Sequence, residues 1–260
     1  MFPSIPYFLF LVFLGLAPSL IWLWYYLKKD DHKEPKKILF QVFILGGLSV
    51  ALAFFAEYGY LRLLFSIGVE CIGCEKVMPD YLGAINASTL GATSFIVLIG
   101  IAYIEEFLKY IVVKFRILKE KAFDEPVDAM IYLVVGALGF AAFENIGYIL
   151  SADPSSVFSL TMARFITAIL LHVLASALVG YFFALSIIHN KSRLYYITIG
   201  LILATIFHAL FNLLIILMQD WNFASLYLLV LMISMWKVIS YLFDRIKTKH
   251  YNMQRQINNI

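Results

Sequence analysis

Seven apolar runs, each about as long as a bilayer is thick, constrain this 260-residue chain more than any other feature. A transmembrane helix needs about 20 consecutive apolar residues. None of the runs alternates polar with apolar positions, so they predict helices and not the strands of a membrane barrel. Their approximate bounds are 4–27, 38–61, 89–113, 127–150, 158–188, 194–218 and 222–244.

The composition agrees with this interpretation. Apolar and aromatic residues make up 62% of the chain. Charged residues make up 14%, against about 25% in a soluble protein. These values exclude a soluble globular enzyme and a disordered protein, and the net charge of +3 is too small for a nucleic-acid-binding protein. We therefore predict an all-α, polytopic transmembrane helix bundle in which residues 1–260 form a single domain.

The basic residues alternate between successive connections. They are concentrated in the first, third and fifth connections and in the tail, whereas the other connections hold only Lys76, with Arg62 at the rim of the second. Because cytoplasmic loops are rich in lysine and arginine, this predicts an amino terminus outside the cell and a carboxyl terminus in the cytoplasm. Cys71 and Cys74 would then lie in an oxidising space, where we expect a local disulfide.

Ionisable side chains inside the predicted spans are the strongest indication of a site, since each costs about 2.5–3.5 kcal/mol at the bilayer centre. They are Glu105, Glu106, Lys109, Glu144, Arg164, His172 and His208. Such groups must face one another or a wet cavity, so we expect the side chains of four spans to converge. Glu57 and Lys237 lie near span ends, where they can reach the interface, and we expect no special role for them.

The third span carries two adjacent acids and a base. Lys109 follows Glu105 by four residues and Glu106 by three, so it can pair with either. One carboxylate is then left over, which suits a general base better than a structural ion pair. The alternative is a charge cluster that only locks helices together.

The next three spans contribute further polar pairs. Glu144 and Asn145 form either an interhelical clamp or a support that holds an imidazole in one tautomer. His172 lies in the fifth span, and the sixth places His208 and Asn212 on one helix face. One membrane histidine is often a packing residue, but two near mid-span beside three glutamates predict a functional site.

In chain order these residues form four motifs: EExxK from Glu105, FAxxEN from Phe140, a histidine followed by a small residue and a glycine from His172, and HxxxN from His208. Together they resemble the PrsW family of intramembrane proteases, part of the superfamily of type II CAAX prenyl proteases. The resemblance covers roughly residues 100–215. It implies a multi-pass protease of the cell membrane that hydrolyses a peptide bond in or near the membrane segment of a substrate. The implied partners are the lipid bilayer and a single-span protein such as an anti-sigma factor, cut in a site-1-type cleavage.

The resemblance also implies individual roles. Glu105 would activate water, and His172 would position that water. His208 and Asn212 would stabilise the oxyanion, while Glu106 would pair with the lysine three residues later. The supporting residues would be Lys109, Glu144, Asn145 and Arg164. The wider superfamily usually has a histidine at the position of Glu144.

The sequence leaves more than one possibility open for the cofactor and for the class of function. Glutamate and histidine are also zinc ligands, and three of them with a water form a catalytic zinc site. The cofactor is therefore either none or a divalent metal such as zinc, and without an HExxH motif we favour the metal-free mechanism. A non-catalytic scaffold of the same superfamily is disfavoured by the intact glutamate pair. A proton-coupled transporter is disfavoured because the sequence shows neither repeats nor paired broken helices.

The alternation of basic residues makes the orientation testable. A single cysteine introduced at position 76 of a chain whose own cysteines are replaced by serine should react with a membrane-impermeant maleimide added to intact cells. A cysteine introduced at position 191, in a basic connection, is the matched control and should react only after the membrane is permeabilised. The reverse pattern of labelling would contradict the predicted orientation.

Overall fold

The computed structural model describes residues 4–28, 33–68, 91–218 and 223–258, and this part of the chain is helical, with no strand. Cys71 and Cys74 lie outside the described residues, as does Lys76. The helices in chain order are α1 Ile5–Leu27, α2 Lys36–Ser66, α3 Ala92–Ile117, α4 Asp128–Ser151, α5 Val157–Ile166, α6 Ala168–Ile188, α7 Arg193–Leu217 and α8 Ala224–Asn258.

Six stretches of the described chain are long and apolar enough to cross a membrane, and α5 and α6 together form one of them. Helix α3 differs because it contains Glu105, Glu106 and Lys109. It has 26 residues, which corresponds to about 39 Å of helix and is enough to span a bilayer. The predicted all-α transmembrane bundle is confirmed, with α3 as a long helix whose charges are buried within the protein.

Helices α4 and α6 form the centre of the bundle. Every residue from Asp128 to Ala142 in α4 is buried, and so is every residue from Leu171 to Tyr181 in α6. Helices α1 and α8 lie at the periphery and expose large apolar side chains such as Trp24. In a bilayer these exposed side chains contact lipid tails, so their exposure carries no hydrophobic cost.

Glycines allow α2 and α4 to cross at very short range. A Cβ atom at Gly46 would overlap the carbonyl oxygen of Gly136, and a Cβ atom at Gly139 would overlap the carbonyl oxygen of Phe43. Small residues at such crossings let two backbones touch, which is how helices associate in membranes where apolar burial provides no driving force. The glycines of the fourth predicted span therefore have a packing role, and their partner is α2.

The fifth predicted span is two helices that meet at Thr167. The backbone there has φ −105° and ψ −71°, far from the α-helical values of about −63° and −42°. Neither proline nor glycine occurs between Val157 and Ile166, so no helix-breaking residue indicated the break. Because of the break, Arg164 on α5 and His172 on α6 do not lie on one continuous helix.

Two other predicted spans are longer than expected. The second extends over Lys36–Ser66 instead of 38–61, and the last over Ala224–Asn258 instead of 222–244. The first connection is tied to the bundle because the hydroxyl of Tyr132 on α4 donates a hydrogen bond to Glu34. With the added turns at the end of α2, Glu57 lies more than two turns before the last residue of the helix and not near its end.

The crossing of α2 and α4 predicts a position-specific loss of stability. Gly139→Ala should lower the thermal midpoint of the detergent-solubilised protein, since overpacking a tight contact costs about 1–3 kcal/mol. Gly147→Ala is the matched control in the same helix, because a Cβ atom there meets no other atom within 4 Å. That control should be neutral or stabilising, as alanine is the better helix former by about 1 kcal/mol. Equal midpoints for the two variants would show that the crossing tolerates a methyl group.

Candidate active site

The acidic pair and the lysine of α3 are buried together in the bundle. The exposed fractions are 7% for Glu105, 1% for Glu106 and 0% for Lys109. Lys109 Nζ lies 2.6 Å from Glu106 Oε1 and 3.9 Å from Glu105 Oε2. The i, i+3 and i+4 spacing places all three on adjoining faces of one helix, and the lysine pairs mainly with the second acid.

Glu106 is fully engaged by side chains from two other helices. His208 Nδ1 on α7 lies 2.8 Å from Glu106 Oε1, and Ser176 Oγ on α6 donates to Glu106 Oε2 over 3.4 Å. A carboxylate can only accept, so His208 carries its proton on Nδ1. Its Nε2 then presents a lone pair, 3.9 Å from Glu105 Oε2.

His172 on α6 is held from both sides. Its Nε2 lies 3.0 Å from Glu144 Oε2, and its Nδ1 lies 3.0 Å from Lys109 Nζ. The carboxylate accepts and the ammonium donates, so the neutral ring carries its proton on Nε2 and accepts at Nδ1. This Nδ1 lies 3.8 Å from Glu105 Oε2, and the rings of His172 and His208 are 5.3 Å apart at 79°.

Arg164 fixes the carboxylate that orients His172. Its guanidinium donates to Glu144 Oε2 over 2.6 Å and to Asn145 Oδ1 over 2.5 Å, and it stacks 3.9 Å from the ring centre of Tyr148. The helix break at Thr167 gives Arg164 this position. Both residues of the Glu-Asn motif therefore contact one arginine, which combines the clamp and the imidazole support that the sequence offered as alternatives.

Glu105 differs from the other acids of the site. Its Oε2 is buried and accepts no hydrogen bond from the described residues. Each of Glu105, His172 and His208 offers one ligand atom, and these atoms lie within 4.8 Å of one another. A carboxylate and two imidazoles are a donor set of catalytic zinc sites, where the fourth position holds water. The orphaned oxygen and the donor set fit a divalent metal.

A cavity of about 350 Å³ adjoins these residues, and its wall includes Glu105, Glu144, His172 and His208. The expected convergence of four spans is therefore observed. Arg164 and Asn212 also line the cavity, whereas Glu106, Lys109 and Asn145 lie behind its wall. The lining residues are Val50, Ala53, Phe54, Glu57, Glu105, Phe140, Phe143, Glu144, Gly147, Tyr148, Ser151, Arg164, Ala168, Leu171, His172, His208, Phe211 and Asn212.

The cavity lies in one half of the bundle. It is lined by residues from the middle of α2 onward, by residues late in α4 and α7 and by residues in the first half of the span formed by α5 and α6. All of these segments lie toward the ends that lead to the second, fourth and sixth connections, the connections poor in lysine and arginine. The basic connections are at the opposite end of the bundle.

Sequence reasoning missed Glu57, which it treated like Lys237. Lys237 is exposed as expected, but Glu57 is only 5% exposed and lines the cavity. The available signal was the helical spacing of Val50, Ala53 and Glu57, which places the acid on the same face as two apolar residues. The predicted end of this span at residue 61 concealed that signal.

Known proteins match the chain over most of its length. The sequence model of the PrsW family, described as intramembrane metalloproteases, matches residues 34–239. Protease PrsW of Geobacillus kaustophilus is 27% identical over 87% of both chains. Protease PrsW of Clostridioides difficile is 28% identical over 88% of this chain and 87% of its own.

A third relative extends the comparison. Protease PrsW of Bacillus subtilis is 23% identical over 85% of this chain and 88% of its own. No solved structure matches significantly. The family match covers well over half of the chain and includes every residue of the cavity wall. This multi-pass membrane protein is a peptidase that belongs to the PrsW family of intramembrane metalloproteases.

Proposed function

We propose that the chain hydrolyses a peptide bond next to the membrane segment of a single-span protein such as an anti-sigma factor, in a site-1-type cleavage. The observation that carries this proposal is the arrangement at Glu105. One oxygen of its carboxylate forms no hydrogen bond within the described residues, and this oxygen lies between two imidazoles beside a cavity. A group that only locked helices together would have its hydrogen bonds made, as Glu106 does.

When water alone occupies the site, the attacking water is held by Glu105 and His172. Glu105 Oε2 accepts a proton from this water as its oxygen attacks the scissile carbonyl carbon. The one lone pair of His172 Nδ1 accepts from Lys109 Nζ in the structure, so the ammonium must turn fully to Glu106 before this nitrogen can accept from the water and orient it. Arg164 and Glu144 keep the imidazole in the tautomer that leaves this nitrogen free of a proton. The proton then passes to the departing amine when the carbon–nitrogen bond breaks.

The oxyanion is stabilised mainly by Asn212, whose side chain lines the cavity and forms no hydrogen bond within the described residues. An amide donates to a developing oxyanion in any protonation state. His208, the other residue assigned to this role, donates from Nδ1 to Glu106 and has a hydrogen on Nε2 only as an imidazolium. The adjacent Glu106 carboxylate stabilises that cation when it forms.

The residues of the site also support the metal that the family description names. Glu105, His172 and His208 would hold a divalent cation such as zinc. Bound there, the metal would supply a Lewis acid that lowers the pKa of a bound water. Glu105 is then needed as a ligand, and it is needed as the base if water alone occupies the site. This donor set now favours the metal over the metal-free mechanism.

The position of the cavity supports an extracytoplasmic cut. The cavity lies toward the connections that are poor in basic residues, and the predicted topology places those connections outside the cytoplasm. A substrate must enter this half unwound, because a helix encloses its own carbonyl groups. The bond that is cut would therefore lie in the extracytoplasmic juxtamembrane stretch of the substrate.

Substitution of the two neighbouring acids should separate catalysis from stability. The purified protein is mixed in liposomes with single-span anti-sigma factors of Bacillus subtilis, and the fragments are identified by mass spectrometry. Glu105→Gln should fold normally and lose about 100-fold or more in rate, since the water loses its base or its metal ligand. Glu106→Gln should also lower the thermal midpoint, because it leaves the buried Lys109 charge without its partner.

The outcomes of this experiment distinguish the parts of the proposal. Unimpaired cleavage by Glu105→Gln would remove this residue from the mechanism. Fragments cut on the cytoplasmic side of the substrate span would contradict the position of the bond but not the protease activity. Equal midpoints for the two variants would show that the lysine charge does not depend on Glu106.

Metal content provides a separate prediction. The protein purified without chelator should contain about one divalent metal per chain, measured by plasma mass spectrometry, because three protein ligands suffice for a catalytic site. His208→Ala should lower that content about tenfold or more. Lys237→Ala, at an exposed position on α8, is the control and should leave the content unchanged. Full activity in metal-free protein would assign the activation of water to Glu105 alone.

A further inference from the structure

Glu57 is a buried acid of the cavity wall that the proposed mechanism does not use. It is 5% exposed, and within the described part of the chain it forms neither a hydrogen bond nor an ion pair. The other two acids of the wall are surrounded differently. Glu144 is bound by Arg164, and Glu105 lies within 4 Å of Lys109 and both histidines.

The face of α2 that bears Glu57 forms one side of the cavity. Val50, Ala53, Phe54 and Glu57 follow one another at helical spacing and all line the cavity. Three of the four are apolar, so Glu57 is the polar group on this side. The catalytic histidines are on α6 and α7, and neither lies within ion-pair distance of Glu57.

A buried polar group without a partner destabilises a protein, so its presence at a cavity points to a ligand that supplies the partner. A carboxyl group accepts hydrogen bonds in either protonation state. A substrate segment that has unwound for cleavage carries main-chain N–H groups without intrahelical acceptors, and these must be satisfied where water is scarce. The Glu57 carboxyl group lacks a hydrogen-bond donor and the N–H groups of the substrate lack an acceptor, so each can supply the partner of the other.

We propose that Glu57 is a substrate-binding residue that accepts a hydrogen bond from a main-chain N–H group of the unwound substrate segment. The inference rests on the proposed function, since it takes the peptide substrate as given. In this arrangement the substrate lies between the face of α2 and the catalytic groups of α6 and α7. Glu57 fixes the strand from the side opposite the attacking water and takes no part in proton transfer.

Enzyme kinetics with conservative and disruptive substitutions test this role. The substrate is whichever anti-sigma factor of Bacillus subtilis the wild-type protein cleaves in liposomes. Glu57→Gln keeps an oxygen acceptor and should leave KM and kcat within about threefold of wild type. Glu57→Leu removes the acceptor and should raise KM about 5- to 30-fold, the factor expected for one lost hydrogen bond, with a much smaller change in kcat. Tyr58→Leu is the matched control, since the adjacent side chain is 43% exposed on the lipid side.

A thermal midpoint measured in the same preparations separates binding from structure. Because Glu57 has no partner to lose, Glu57→Leu should have a midpoint equal to or above that of wild type. A lowered midpoint with unchanged KM would overturn the proposal in favour of a structural role. A loss of kcat of about 100-fold in Glu57→Gln would overturn it in favour of proton transfer by this carboxyl group.

A binding measurement keeps the inference independent of cleavage. A fluorescent peptide that comprises the span and juxtamembrane stretch of the same anti-sigma factors is titrated into liposomes that contain Glu105→Gln. The double variant Glu105→Gln/Glu57→Leu should bind this peptide about 5- to 30-fold more weakly. Equal affinity would refute the role of Glu57. Cleavage of none of these anti-sigma factors by wild type, together with this difference in affinity, would refute the proposed cleavage of this substrate class but leave the binding site standing.

Discussion

The ion pair between Lys109 and Glu106 organises the centre of the bundle, because neither charge is stable alone among apolar helices. The pair joins two residues of α3, and side chains of other helices complete it. Ser176 and His172 approach from α6, and His208 approaches from α7. Removal of one partner from such a buried pair typically costs 3–5 kcal/mol, so the positions of three helices depend on this contact.

A continuous series of polar contacts extends from the pair to both sides of the cavity. In spatial order it comprises Arg164, Glu144, His172, Lys109, Glu106 and His208. Each contact has a donor on one side and an acceptor on the other, so the tautomers of both histidines are determined. Glu105 is adjacent to this series but has an oxygen outside it. The hydrogen bonds of the series hold its side chains in place, and the Glu105 oxygen outside the series remains available to the attacking water or to a metal.

Much of the site could be predicted from the sequence because its members are costly in a membrane. Glu105, Glu144, His172 and His208 had to face one another, and helical spacing indicated which neighbours shared their faces. The break at Thr167 could not be predicted, since it depends on tertiary contacts such as those of Arg164. Glu57 was missed for a related reason: its burial depends on where α2 ends, and hydropathy locates helix ends only to within several residues.

The charges of α3 also have a consequence for the order in which the protein is made. His172 follows Lys109 by 63 residues and His208 follows Glu106 by 102, so neither histidine exists when α3 is synthesised. At about 5–20 residues per second, the last contact becomes available only some 5–20 s later. During that interval the basic partner that Glu106 has in its own helix is the lysine one turn further on. The short-range ion pair therefore protects α3 during membrane insertion before it organises the finished site.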